Sequence, residues 1–174
     1  MKHVLDTIHS RSSIRKFSTA PLERVQIEEI VRAGMAAPTA GNRQPWAFIA
    51  VDDASVLSDL AAGLPYAKFA ANAPAAILVC GDLSKAFDGV EESLWIQDCS
   101  AACQNILLAC HAMGLGATWT AIYPLEDRVT LVRHALNLPD HIVPLSLIPV
   151  GVPDQKAIIK DKWNADLLHW QRWE

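Results

Sequence analysis

The chain has 174 residues, 51% of them apolar and 20% charged, and its formal net charge is −4. A chain of this length and composition buries most of its surface as a single domain, 1–174, and is too apolar to be disordered. The acidic balance, without a dense run of lysine and arginine, argues against nucleic-acid binding. The N-terminus lacks the apolar core of a secretory signal, so we expect a cytoplasmic protein.

The first half of the chain predicts helices and strands from its apolar spacing. One helix is predicted to begin near Pro21, with Thr19 or Ala20 around its cap. Its apolar face consists of Ile27, Ile30, Val31 and Gly34. Short apolar runs between polar segments predict buried strands. The predicted elements are a short helix over 3–10, a helix over 21–36, a strand over 46–51, short helices within 54–72 and a strand over 75–81.

One long helix, predicted over 94–113, dominates the second half. Apolar residues cover nearly all of its sides, so it must be buried on most faces. Polar residues interrupt this stretch, which therefore predicts no membrane span. Its small residues, among them Ala101, Ala102 and Ala109, permit close approach of another helix. Burial within the chain and burial against a second copy both fit, and we favour a homodimer.

The elements that follow complete an α+β fold, a small sheet with helices packed on it. They are a strand over 117–122, a helix over 125–138 and a strand over 143–151. Pro144 and Pro149 within the last strand indicate an edge position or an irregular pairing.

The tail, about 152–174, carries Trp170 and Trp173 close to the terminus. Tryptophans are seldom left in water, so we expect the tail to dock on the core or on the partner chain.

Two basic clusters are candidates for anion binding. The first places two guanidinium groups four residues apart with two hydroxyls between them, which are donors suited to phosphate. It consists of Arg11, Ser12, Ser13 and Arg15. A solvated basic loop after a helix C-terminus fits this cluster as well. The second cluster, Lys160 and Lys162, points one way only if the segment is extended, and a solvated tail is its alternative.

A third candidate is the loop that precedes the strand at Trp46. Its small residues let the backbone approach a flat ligand closely, although an ordinary helix-to-strand loop fits equally well. The residues in question are Pro38, Thr39, Ala40 and Asn42.

The usual side-chain machinery of hydrolases and metal sites does not emerge from the sequence. Cys99, Cys103 and Cys110 form one helical stripe without the paired spacing of a zinc site, which predicts core packing. Phosphate-type donors without an acid, base or nucleophile indicate that a cofactor carries the chemistry.

Four segments match one family in the same order along the chain. Arg11–Phe17 resembles Arg-x-Ser-x-Arg-x-Phe. Residues 37–48 resemble Ala-Pro-Ser-x-x-Asn-x-Gln-Pro-Trp-x-Phe, with Thr39 in place of the commoner serine. Residues 97–116 resemble the family's central helix, and Lys160–Trp163 with Trp173 resembles the tail of its short members. The chain thus resembles the nitroreductase family of FMN-dependent oxidoreductases, in a short form.

The resemblance implies an intertwined homodimer with a long central helix, a small mixed sheet flanked by helices, and FMN sites built from both chains. The FMN phosphate and ribityl chain would contact Arg11, Ser12, Ser13 and Arg15, with Lys160 and Lys162 completing the phosphate site. The loop residues Pro38, Thr39, Ala40 and Asn42 would approach the isoalloxazine from the partner chain. Backbone N–H groups near its N5 and O4 would come from Thr120, Ala121 and Ile122.

The resemblance also implies a reaction without a catalytic side chain. NADH or NADPH would reduce the flavin, and a nitroaromatic, quinone or similar small acceptor would then use the same position, which gives ping-pong kinetics. A flavin enzyme with another outcome, such as reductive dehalogenation or flavin breakdown, stays open. So do a non-catalytic FMN-binding protein and a dimeric domain without a cofactor.

Overall fold

The computed structural model describes residues 4–173, without the side chain of Val90. Its helices are α1 (Val4–Ser10), α2 (Arg24–Met35), α3 (Ala54–Gly63), α4 (Leu94–Ala112) and α5 (Glu126–Ala135). Its strands are β1 (Trp46–Val51), β2 (Ala75–Asp82), β3 (Gly116–Ala117), β4 (Thr120–Ala121) and β5 (Ile142–Gly151). Short 3₁₀ helices span Ala40–Asn42, Lys68–Asn72, Gly89–Glu91 and Ala165–Leu167. The predicted α+β class is confirmed.

The strands form one sheet in the order β1-β2-β5-β3, with β4 also paired to β5. Every pairing within the described residues is antiparallel, whereas a mixed sheet was expected. Apolar alternation along a strand shows which face is buried but not the direction of its neighbour, so the sequence could not settle this point.

Strand β5 lies inside the sheet, with β2 on one side and β3 and β4 on the other. The predicted edge position is therefore wrong, but the predicted irregular pairing is confirmed. Pro144 lies opposite Cys80, immediately beside a break in the β2–β5 register. Strands β3 and β4 keep one register along β5 and are two pieces of the strand predicted over 117–122. Pro149, which has no N–H for the ladder, lies beside their gap.

The sheet separates two buried clusters, and β2 contributes to both because it is buried along its whole length. Ile77 and Val79 pack with residues of α2 and α4 on one face. Leu78 and Cys80 pack with residues of α3 and α5 on the other. This alternation is the period-two pattern of a strand covered on both faces.

Helix α2 begins three residues later than predicted, at Arg24. Glu23 is the N-cap, and its side chain and that of Gln26 form a reciprocal capping box. This arrangement satisfies the backbone N–H groups of Glu23 and Gln26 at the start of the helix. The predicted core face is confirmed, since Ile27 and Ile30 are buried together with Gly34.

Within residues 4–173, no helix is both long enough and apolar enough to cross a lipid bilayer.

Candidate functional site

A cavity of about 1000 Å³ lies between the end of α1, the segment that follows it, α4 and the tail. All six residues of the two predicted basic clusters line this cavity, together with Gln104 of α4 and Gln155. The fold therefore brings the start and the end of the chain to one site. The six predicted residues are Arg11, Ser12, Ser13, Arg15, Lys160 and Lys162.

The first basic cluster is held in place by Ile14, whose side chain is buried. The N–H of Ile14 donates to the carbonyl of Ala117 at 3.1 Å, and its own carbonyl accepts from Thr118 Oγ1 at 2.6 Å. Gly116 permits this close approach, because a Cβ there would lie 2.5 Å from a methyl of Ile14. With Ile14 turned inward, its neighbours Ser13 and Arg15 face the cavity.

The tail begins as a short ladder against the first basic cluster. The N–H of Ser18 donates to the carbonyl of Val152, and the N–H of Asp154 donates to the carbonyl of Lys16, both at 2.9 Å. A β-bridge between Phe17 and Pro153 joins the two bonds. This ladder fixes the start of the tail beside the cavity. Further along the tail, Lys160 and Lys162 line the cavity.

The cavity holds a polar atom without a partner. Ser12 Oγ is buried and makes no hydrogen bond to any described residue. A buried hydroxyl normally has a partner, and a ligand with a hydrogen-bond acceptor would supply one here. None of the four cations that line the cavity forms an ion pair among residues 4–173. An orphaned hydroxyl among four unpaired cations fits a phosphate group.

The loop predicted to approach a flat ligand lies away from this cavity, and none of Pro38, Thr39, Ala40 and Asn42 lines it. The N–H of Ala40 donates to the carboxylate of buried Asp98 at 2.9 Å, and the N–H of Gln44 donates to Thr39 Oγ1. Gly41, Asn42 and Gln44 all have φ between 51° and 54°. Side-chain bonds thus hold a strained, largely exposed loop in one shape.

The three residues predicted to offer backbone N–H groups to a ligand, Thr120, Ala121 and Ile122, differ in their hydrogen bonds within the fold. The N–H of Ile122 donates to the carbonyl of Leu145 at 3.0 Å and so already has a partner within the sheet. Thr120 is buried and its Oγ1 donates to the carbonyl of Leu147. Ala121 is exposed, and strand alternation turns its N–H away from β5. Its carbonyl already accepts from Arg128 Nη1 at 2.9 Å.

Cys99, Cys103 and Cys110 are buried free thiols, as the helical stripe predicted, and Cys80 of β2 is a buried free thiol as well. Burial raises the pKa of Cys80, Cys103 and Cys110 to about 12, so these thiols stay protonated at neutral pH. They cannot act as nucleophiles there. No group of three or more His, Cys, Asp or Glu side chains in the described part of the chain could hold a metal ion.

Three residues that shape the cavity escaped the sequence reasoning. Gln104 lies in the stretch that resembles the family's central helix but was given no role at the cavity, and Gln155 sits in no recognisable pattern. Gly116 was visible as the end of Gly114-Leu115-Gly116, which is typical of a helix C-terminus, and Gly114 does follow α4 with a φ of 78°. The close contact that Gly116 makes is long-range and has no local signal.

The fold and the cavity define an α+β protein with a basic cavity between the end of α1 and the tail. The model of the nitroreductase family matches residues 8–64 and 57–152. The chain belongs to the nitroreductase family.

Relatives support this assignment along the whole chain. An Archaeoglobus fulgidus protein named as an NADH dehydrogenase/NAD(P)H nitroreductase is 40% identical, over 99% of this chain and 100% of its own length. A crystal structure from Parabacteroides distasonis with the same name has a TM-score of 0.93 and 47% identity, over 99% of this chain and 100% of that one. A nitroreductase-type protein from Desulfovibrio desulfuricans, solved in complex with FMN, has a TM-score of 0.83 and 28% identity, over 100% and 99%.

Proposed function

We propose that the protein is an FMN-dependent oxidoreductase that takes electrons from NADH or NADPH and delivers two of them to a small acceptor such as a nitroaromatic or a quinone. One observation carries the proposal: the hydroxyl of Ser12 lies in a cavity lined by four cations, and in the part of the chain that the structure describes neither the hydroxyl nor any of the cations has a hydrogen-bonding or ion-pair partner. The Desulfovibrio relative, solved with FMN, supports FMN as the phosphate-bearing ligand.

The residues of the cavity fit this cofactor. Arg11, Arg15, Lys160 and Lys162 would neutralise the phosphate, and the hydroxyls of Ser12 and Ser13 would donate to its oxygens. Ala121, with its N–H at the open edge of β4, would donate to the ring system. When bound, FMN would supply hydride uptake and two-electron delivery, for which the protein needs no side-chain base.

We propose further that the site is completed by a second copy of the chain. The loop at Pro38–Asn42 is shaped and exposed but does not reach the cavity of its own chain. The tail leaves Trp163, Trp170 and Trp173 between 71% and 82% exposed. Exposed aromatic residues in this number are typical of an interface. A homodimer would bury the tail on the partner and bring the partner's loop to the flavin.

The visible absorption spectrum of the purified protein tests the proposal directly. We expect a flavin spectrum that bleaches when NADH or NADPH is added without oxygen, and the more effective nucleotide identifies the donor. A flavin spectrum that neither nucleotide bleaches would support a binding role only. A protein that takes up no flavin, even after incubation with FMN, would refute the cofactor assignment.

Binding can be tested apart from turnover. FMN should raise the Tm of the wild-type protein by mass action, and it should do so less for Arg11→Ala and Lys162→Ala. Lys156→Ala is the matched control, because Lys156 is an exposed tail lysine that does not line the cavity. Equal shifts in all four proteins would contradict the phosphate site.

Steady-state kinetics test the shared position of donor and acceptor. We expect parallel double-reciprocal lines, the sign of a ping-pong mechanism. Intersecting lines with a ternary complex would contradict it.

A further inference from the structure

Gln155 stands where the two basic segments of the cavity meet. Its side-chain Oε1 accepts hydrogen bonds from the backbone N–H groups of Arg15 and Lys16, both at 2.9 Å. A backbone N–H can only donate, so the carbonyl end of the Gln155 amide must face this segment. Two consecutive N–H groups thus converge on one oxygen, in the manner of a backbone anion nest.

The Gln155 side chain replaces a missing backbone partner. The ladder between the tail and the first basic cluster uses the carbonyl of Lys16 and the N–H of Ser18. It ends at Asp154, and the N–H groups of Arg15 and Lys16 lie just past that end. Gln155 is the next tail residue and satisfies both. It therefore fixes the backbone from which the exposed Arg15 side chain extends into the cavity.

We propose that Gln155 is a positioning residue of the phosphate subsite, an inference that rests on the proposed FMN site. Its oxygen sets the direction of Arg15 and ties the first basic cluster to the tail that supplies Lys160 and Lys162. Holding the two N–H groups needs only a hydrogen-bond acceptor, so a carboxylate of the same length can replace the amide in that contact, although its negative charge would repel a phosphate in the cavity.

The test compares Gln155→Leu, which removes the acceptor, with Gln155→Glu, which keeps it. Gln155→Ala replaces the leucine variant if that protein does not fold. Gln97→Leu is the matched control, because Gln97 is an exposed glutamine of α4 that does not line the cavity. The first readout is NMR-detected amide exchange at Arg15 and Lys16 in the protein without flavin. The second is the affinity for FMN and for riboflavin, which lacks the phosphate.

We expect Gln155→Leu to accelerate exchange at both amides and to weaken FMN binding about tenfold, the effect of losing one or two ordinary hydrogen bonds. Riboflavin binding should be unchanged, and Gln155→Glu should restore slow exchange. Unchanged amide exchange in Gln155→Leu would show that Gln155 does not hold the N–H groups of Arg15 and Lys16. Faster exchange with unaltered FMN affinity, or an equal loss for riboflavin, would overturn the role at the phosphate. A wild-type protein that binds no FMN would refute the proposed function, while the exchange rates would still show whether Gln155 holds the N–H groups of Arg15 and Lys16.

Discussion

At the residue scale, the hydroxyl of Ser12 is buried and makes no hydrogen bond to any described residue. A buried polar group without a partner costs about 1–3 kcal/mol. It lies in a cavity lined by four cations, none of which forms an ion pair within residues 4–173. The hydroxyl would be favourable only when a ligand gives it a hydrogen bond. Its removal should therefore raise the stability of the ligand-free protein and lower the affinity for the ligand.

Ser12→Ala is therefore expected to stabilise the flavin-free protein and to weaken FMN binding. Removing a destabilisation of about 1 kcal/mol, the lower end of that cost, raises the Tm by about 2–4 °C for a chain of this size. The increase in Tm on adding FMN should shrink. Differential scanning calorimetry with and without FMN measures both effects.

Ser13→Ala is the control for stability, since the hydroxyl of Ser13 is not a buried orphan. A Ser12→Ala protein that melts lower than the wild type without flavin would show that this hydroxyl already has a partner.

At the scale of elements, helix α3 depends on the carboxylate of Asp53. This side chain accepts hydrogen bonds from Ser55 Oγ and from the N–H groups of Ser55 and Val56. The bond from the Ser55 side chain, followed by the two backbone bonds, lowers the pKa of Asp53 below its ordinary value of 3.8. A lowered carboxyl pKa stabilises the fold above 3.8, and this stability is lost as the pH falls through the lower folded value.

Asp53→Ala should lower the Tm at pH 7 by about 2–4 °C through loss of the N-cap. The difference from the wild type should stay constant down to about pH 4 and shrink below that. Asp53→Asn keeps a capping oxygen and should lose little at pH 7. Thermal melts between pH 2.5 and pH 7 decide, and a Tm difference that does not depend on pH would contradict the assignment.

The contact between β3 and the first basic cluster links fold to site. Gly116→Ala would push a methyl into Ile14, and overpacking of this kind costs about 1–3 kcal/mol. Because Ile14 sits between Ser13 and Arg15, FMN affinity should fall as well. Combining Gly116→Ala with Ile14→Ala should cost less than the two single changes together, since each relieves the other. Additive losses in denaturant melts would argue against a direct contact.

Most elements could be predicted from local spacing, and the errors lie where the decisive contact is distant. Apolar periodicity predicted β1 to the residue and α4 to within one residue. It could not show that β5 is an inner strand, because two prolines, which lack an N–H for pairing, are typical of an edge. Here Pro144 lies beside a register break and Pro149 beside the gap between β3 and β4, so an inner position is possible. Likewise, the hydrogen bond from the N–H of Ile122 to the carbonyl of Leu145 joins residues distant in the sequence and has no local signal.

At the scale of the whole molecule, one exposed feature predicts assembly. The tail beyond Gln155 lies open to solvent, with Ile158 and Leu167 more than 60% exposed in addition to its tryptophans. Trp170→Ser combined with Trp173→Ser should therefore turn a dimer into a monomer or weaken the dimer strongly. Light scattering after size exclusion measures the mass. A wild-type protein that is monomeric at micromolar concentration would refute the proposed dimer.

The residue types of the candidate site could be predicted from the local sequence, but their meeting in one cavity could not. Both basic clusters were visible as residue types, but each alone also fitted a solvated segment. Their meeting in one cavity depends on the ladder that joins Phe17 to Pro153, a pairing without any sequence signal. In the proposed homodimer, the role of the Pro38–Asn42 loop would depend on a second chain, which one sequence does not contain.

The burial of all four thiols makes the protein a convenient host for a probe. A cysteine introduced at an exposed tail position such as Lys156 would be the single thiol that a maleimide reagent reaches in the folded state. A spin label attached there would give the separation between two tails in solution. The native cysteines would not need to be removed first, so the core on both faces of the sheet would stay as it is.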